Sequence, residues 1–193
     1  IADEERDRRD WNKPFVSAND GASSVAFMME LAHQMKDLKT EVGVDFVIFD
    51  GEEYIFDKNR DKYFLGSEHF AAEYKAQKEG PKYIAGILLD LFAGKGAVYP
   101  VEENSRLLAG PLVEDIWNLA AELGVKNFKF ERGGDRGVMD DHLALNRAGI
   151  PCIDIIDFSY EHWHKLSDTP DKCSAESMAN VAKVLTAWMQ KVK

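Results

Sequence analysis

At 193 residues, with 45% hydrophobic and 30% charged side chains, the chain has an ordinary globular composition and the length of one domain. A chain of this length buries on the order of 70% of its unfolded surface. The net charge of −10 argues against nucleic acid or an anionic membrane as a partner. No apolar run reaches membrane-spanning length, and no signal-peptide pattern is present.

The opening stretch IADEERDRRDWNKPF is charged, lacks hydrophobic periodicity and has no initiator Met, so it reads as the start of a processed, truncated or partial chain. Residues 22–38 place Val25, Met28, Leu31 and Met35 on one face and predict an amphipathic helix. Residues 43–49 (GVDFVIF) predict a buried strand, and 66–77 a helix with Ser67 as N-cap and Phe70 and Tyr74 inward. Residues 83–92 (YIAGILLDLF) predict a second buried strand. A helix is expected over 111–123, with Pro111 at its first position and Gly124 at its C-terminal cap. Residues 126–131 alternate like a half-buried strand, and 150–157 (IPCIDIID) predict a third buried strand. A closing helix is expected over 174–192, capped by Ser174, with Glu176 in its first turn. Cys152 reads as a buried free thiol, and its spacing from Cys173 gives neither a metal knuckle nor a disulfide framework. No repeat or linker divides the chain, so residues 1–193 are expected to form one domain. Helices alternating with apolar strands predict an α/β sandwich around a mixed, mostly parallel sheet.

In such sheets, ligands lie beyond the carboxyl ends of the strands. There the chain carries Asp50-Gly51-Glu52-Glu53, Asp90, and a segment with His162, Trp163 and His164. Asp20 precedes the first helix, and Asp140, Asp141 and His142 lie between strands. Two carboxylates and one imidazole with an open position suit a catalytic zinc ion, and a further carboxylate held off the metal suits proton transfer. Glu52-Glu53 fits that division, although alone it reads more readily as a solvated turn. Asp20 has a second reading as a helix cap. Asp90, inside an apolar run, tips toward function because a buried carboxylate needs a partner; Asp154 raises the same question. In an extended loop His162 and His164 would point the same way with Trp163 opposite, so the pattern does not choose between them. His33 and His69 lie on helices and read as structural.

The segments SANDGASSVAFMMELA, VIFDGEEY, LGSEHFA, ILLDLF, MDDHLALNRAGIPCIDIIDF and HWHKLSDT follow the order seen in the zinc aminopeptidase and glutaminyl cyclase superfamily, which the chain resembles from about residue 15 onward. The resemblance implies a three-layer α/β/α fold, with an upstream strand and His-x-Asp segment that this sequence lacks. It implies a one-zinc cyclase held by Asp20, Glu53 and His164, or a two-zinc aminopeptidase in which Asp90 and an upstream His complete a second site. In both, Glu52 moves the proton. In the cyclase, Asp90 hydrogen-bonds toward Asp140 and Trp163 walls the substrate pocket. Asp50-Gly51 before the glutamates, the doubled Asp140-Asp141 and Trp163 directly before His164 are similar to the cyclases. The chain departs from animal cyclases at Asp154, where they carry His, and in lacking a Trp shortly after Glu53. Peptide or protein N-termini are the substrates implied, in a secreted or periplasmic setting. The alternatives are an aminopeptidase and a binding domain on the same fold that has lost catalysis.

Overall fold

The computed structural model describes residues 3–57, 59–132 and 137–193. In chain order its helices and strands are α1 (Ser23–Gln34), α2 (Leu65–Ala76), β1 (Gly86–Asp90), β2 (Tyr99–Val101), α3 (Glu103–Glu122), β3 (Phe128–Arg132), α4 (His142–Arg147), β4 (Cys152–Ile156) and α5 (Ala175–Lys191). The two apolar runs GILLD and CIDII lie side by side: β1 and β4 pair in parallel, with Gly86 opposite Cys152 and Asp90 opposite Ile156. A second parallel pair, β2 with β3, carries an irregularity between Pro100 and Val101.

Alternation along β4 sorts its side chains between two apolar layers. Ile153 and Ile155 enter the main core with Phe27 and Leu31 of α1, Ile116 and Trp117 of α3, and Val181 and Val184 of α5. Cys152 points the other way, into a smaller cluster with Ala71 of α2 and Ala144 and Leu145 of α4. Helices on both faces of the parallel pairs make the expected three-layer α/β arrangement. Trp117 is buried, and its indole N–H donates to the Tyr99 and Lys129 carbonyls at 3.2 and 3.1 Å, so it ties α3 to both strands of the second pair. Cys152 is buried, and both cysteines are free thiols. Among the described residues no helix is long and apolar enough to cross a membrane.

Several expectations change. Residues 43–49 are not a strand. Among the described residues they pair with no neighbour, and Ile48 is exposed. An apolar cleft of about 510 Å³ lies between this segment and β1 and is lined by both, which leaves the two edges unpaired. The helix expected from Pro111 begins eight residues earlier, at Glu103, and bends at Ala109 (φ −137°, ψ 37°), just before the proline. Gly124 does end it: with φ 70° it lets its own N–H reach Ala121 and the N–H of Val125 reach Ala120. Ser67 is not a cap. It lies inside α2, buried, and its hydroxyl donates to Asp141. The short elements β2 and α4 had no periodicity to announce them.

Candidate active site

The carboxyl end of β1 is where the candidate residues collect, and loop hydrogen bonds explain how they reach it. Residues Ala18–Ala22 form one wide turn in which Asp20 (φ −85°, ψ 87°) and Gly21 (φ 97°) are non-helical. Buried Asn19 latches this turn to the strand end: its amide donates to the Leu91 carbonyl at 3.1 Å and its oxygen accepts from the Ala93 N–H at 2.8 Å. The Asp168 carboxylate accepts the N–H groups of Asn19 and Asp20 at 3.0 and 3.1 Å and the Tyr160 hydroxyl at 2.7 Å. Asp20 is therefore presented by its loop rather than spent as a cap; among the described residues the start of α1 has no side-chain cap bond.

Glu52 and Glu53 stand on a turn that is hydrogen-bonded to the start of α2. Phe64 N–H donates to Glu52 O and Gly66 N–H to Asp50 O, both at 2.8 Å. The approach is so close that a Cβ on Gly66 would meet the Asp50 backbone at 2.6 Å. His164 has left-handed backbone geometry, φ 52°, which a non-glycine residue holds only when its surroundings enforce it.

These loops bring His164, Asp20 and Glu53 together. His164 Nε2 lies 3.0 Å from Glu53 Oε1 and 3.7 Å from Asp20 Oδ2, while Nδ1 donates to Asp3 Oδ1 at 2.6 Å. Burial alone would lower the imidazole pKa, but the hydrogen bond and charge of Glu53, with Asp3 and Asp20, raise it to about 9. Burial lifts the Asp20 carboxyl to about 6 against the pull of His164. Two carboxylates sharing one imidazole edge make a donor set that fits zinc by type, and the cluster holds protons where a cation would otherwise balance it.

Glu52 sits beside this group without joining it. Burial first, then the charges of Glu53 and Asp140, raise its pKa to about 8. Asp90 ends β1, and desolvation, then Asp140, Asp20 and Glu52, push its carboxyl well above the ordinary range. Asp140 is raised to about 6, chiefly by burial, although the Asp141 N–H donates to it at 2.6 Å. Asp154, fully buried in β4, is raised by burial and by Asp140 and Asp90. Burial and mutual repulsion thus displace all four carboxyls toward their protonated forms.

A second cluster lies deeper. One donor atom each of Asp140, His142 and Asp154 fall within 4.8 Å of one another, and all three residues are buried. His142 Nε2 lies 3.3 Å from Glu102 Oε2. Glu102 caps α3 by accepting from the N–H groups of Asn104 and Ser105 at 2.8 and 2.5 Å, and it also accepts the Val138 N–H at 2.8 Å. Burial would raise Glu102, but His142 and these N–H groups outweigh it and hold the pKa at about 2.

The segment after β4 is a turn, not an extended loop, and this separates the two histidines. His162 turns to Ser167, with Nδ1 2.8 Å from its hydroxyl. Trp163 does not lie opposite His164 as an extended chain would require. It stacks on it, with centroids 4.2 Å apart, and packs on Phe158. Of the residues expected at the site, Asp20, Glu52, Glu53, Asp90, Asp140, Trp163 and His164 are all in or beside it. Asp3, Glu102 and Asp168 escaped sequence reading. For Glu102 the signal was an acid three residues before Ser105 at a helix start; Asp3 and Asp168 carried none.

The pattern of Peptidase family M28 matches residues 6–189. The chain belongs to peptidase family M28. This M28 chain superposes over its whole length on the glutaminyl cyclase of Fimbriiglobus ruber, with 52% identity and a TM-score of 0.95, covering 67% of that chain. It is also similar to a leucine aminopeptidase precursor from Bacteroides thetaiotaomicron, with 29% identity and a TM-score of 0.89 over the whole of this chain and 68% of that one. The glutaminyl-peptide cyclotransferase of Boiga irregularis is 27% identical over 205 residues, which span 92% of this chain and 56% of the relative. The chain thus spans little more than half the length of that cyclotransferase and about two thirds of the two solved chains.

Proposed function

We propose that this M28 chain carries the site of a zinc-dependent glutaminyl-peptide cyclotransferase, which converts an N-terminal glutamine to pyroglutamate and releases ammonia. The observation that carries the reading is the 52% identity, across the whole chain, with a glutaminyl cyclase of the same fold. Asp20, Glu53 and His164 would hold one zinc ion, which supplies Lewis-acid polarisation of the γ-carboxamide when bound. Glu52 takes a proton from the α-amino group as that nitrogen bonds to the γ-carbonyl carbon. The carbon–nitrogen bond to the amide then breaks, and Glu52 returns the proton to the nitrogen that departs as ammonia. Asp90 and Asp140, too close and too dry to ionise together, share a proton and hold the departing nitrogen. Trp163, stacked on His164, forms the apolar wall against the glutamine side chain.

The reading is tested by counting zinc and following ammonia from a Gln-initiated dipeptide. One zinc equivalent with ammonia release supports it. Glu52→Gln should keep the zinc and lose about 100-fold or more in turnover; loss of zinc from this variant overturns the role of Glu52. A second reading, a two-zinc aminopeptidase, is favoured by the similarity to the leucine aminopeptidase precursor. Cleavage of an aminoacyl anilide, with Asp90→Ala releasing a second zinc equivalent, would replace the cyclase by the peptidase. A chain that takes up no zinc in chelator-free buffer would instead favour a binding domain.

A further inference from the structure

The acidic opening of the chain has no periodicity and no place in the proposed reaction, yet it makes three separate contacts around His164. The imidazole Nδ1–H donates to Asp3 Oδ1 at 2.6 Å. The Glu4 N–H donates to the His164 carbonyl at 3.2 Å. The Glu5 side-chain oxygen Oε1 accepts the Leu166 N–H at 2.7 Å, two residues beyond the histidine. The tripeptide is itself anchored, because the Trp11 indole N–H donates to the Glu5 carbonyl at 3.0 Å.

These contacts answer two physical questions about His164. Its backbone occupies the left-handed region at φ 52°, a conformation that costs a non-glycine residue free energy and needs bonds on both sides to persist. The Glu4 and Glu5 bonds bracket that backbone, one at its carbonyl and one just past it. Its ring must also carry the proton on Nδ1 if Nε2, which faces Glu53 and Asp20, is to serve as a metal donor. A carboxylate accepting from Nδ1 fixes that tautomer and the ring's orientation, and makes Nε2 a stronger donor.

We propose that Asp3-Glu4-Glu5 is a positioning element of the zinc site, with Asp3 setting the tautomer and tilt of His164 and Glu4 and Glu5 holding its strained backbone. The proposal rests on the reading that His164 is a zinc donor. None of the three touches substrate or metal; each acts through His164.

The experiment measures zinc affinity of the 193-residue chain by competition with a chromophoric chelator, for the parent, His164→Ala, Asp3→Ala, Asp3→Asn and Glu5→Gln. Loss of the outer hydrogen bond should weaken zinc binding about 10- to 100-fold in Asp3→Ala. Asp3→Asn, whose amide oxygen still accepts from Nδ1, should show a smaller loss, and Glu5→Gln a partial one. The Asp3 variants should shift the zinc-free unfolding midpoint far less than they shift zinc affinity, which separates positioning from general stability. If His164→Ala loses zinc while Asp3→Asn binds it as tightly as the parent, the proposal is overturned and the zinc reading stands, whether or not Asp3→Ala folds. If His164→Ala binds zinc like the parent, the donor assignment fails and takes the proposal with it.

Discussion

Glu102→Gln is the substitution whose effect the structure bounds most closely. Glu102 is 4% exposed and accepts four hydrogen bonds, from the N–H groups of Asn104, Ser105 and Val138 and from the Ser105 hydroxyl at 2.7 Å. Its pKa falls from the ordinary 4.5 to about 2. At about 1.4 kcal/mol per unit, that depression corresponds to roughly 3 kcal/mol of stability tied to the ionised form. Because the folded pKa is the lower one, this stability is fully present above pH 4.5 and is lost as pH falls toward 2. Glutamine keeps the shape but loses the charge, and its amide group turns donors toward donors. The variant should therefore lose about 2–3 kcal/mol at neutral pH. Urea unfolding of both proteins from pH 7 downward measures the difference. Asp90, Asp140 and Asp154 titrate with the opposite sign and are common to both proteins, so they cancel except for the part of the Asp154 displacement that the Glu102 charge itself causes. The gap should narrow steadily below pH 4.5. A gap that stays constant down to pH 2, or is absent at pH 7, refutes the account of Glu102 as a buried, ionised cap.

Other substitutions test the scaffold around the site. Gly66→Ala sets a methyl group against the Asp50 backbone at 2.6 Å, and should cost about 1–3 kcal/mol in urea unfolding while moving the turn that carries Glu52 and Glu53. Trp117→Ala empties the centre of the main core and strands two carbonyls, with an expected loss of about 3–5 kcal/mol by the same assay. Cys152 should resist a thiol reagent in the folded chain and react only on unfolding, because burial closes access and raises its thiol pKa. Asp168→Ala should free the turn that presents Asp20, and weaken zinc binding more than it lowers the zinc-free unfolding midpoint.

How much was legible from sequence depended on whether the signal was local. The apolar runs of β1 and β4 and the face of α5 announce themselves because burial on a parallel sheet or against a core is written into successive residues. Residues 43–49 have the same apolar signature and fail, because a strand needs a neighbour to supply hydrogen bonds, and a cleft stands where that neighbour would be. The start of α3 was missed because Pro111 resembles a first residue, whereas here it sits just past a bend. At the site, residue types gave the Glu52-Glu53 pair and His162 or His164 as candidates and the family resemblance chose Glu53 and His164; the turn at 160–165 supplies the physical reason for His164, and excluding a cap role for Asp20 required the turn at 18–22. The supporting carboxylates were invisible for a different reason. Asp3 meets His164 across 161 positions of chain, and Asp168 meets Asn19 across 149, so no spacing rule connects them.

Two groups of oxygen and nitrogen donors lie at this end of the fold, and their surroundings argue for different tasks. Asp140, His142 and Asp154 are buried, and the two Asp154 oxygens have no hydrogen-bond donor among the described residues. A carboxylate in that position is relieved by keeping its proton, which is the direction in which Asp154, Asp140 and Asp90 are all displaced. Glu102, whose carboxyl is displaced the other way, is the one with four donors. At the other group the carboxylates of Asp20 and Glu53 keep contact with solvent, at 24% and 39%, and both converge on a single ring nitrogen of buried His164. Under the proposed zinc site, carboxylates gathered at the open edge would be balanced by a cation that water can deliver, whereas the acids sealed behind them are displaced toward their protonated forms. Glu52, half-buried and pressed by charge from both groups, is raised to about 8, which suits the proton transfer proposed for it.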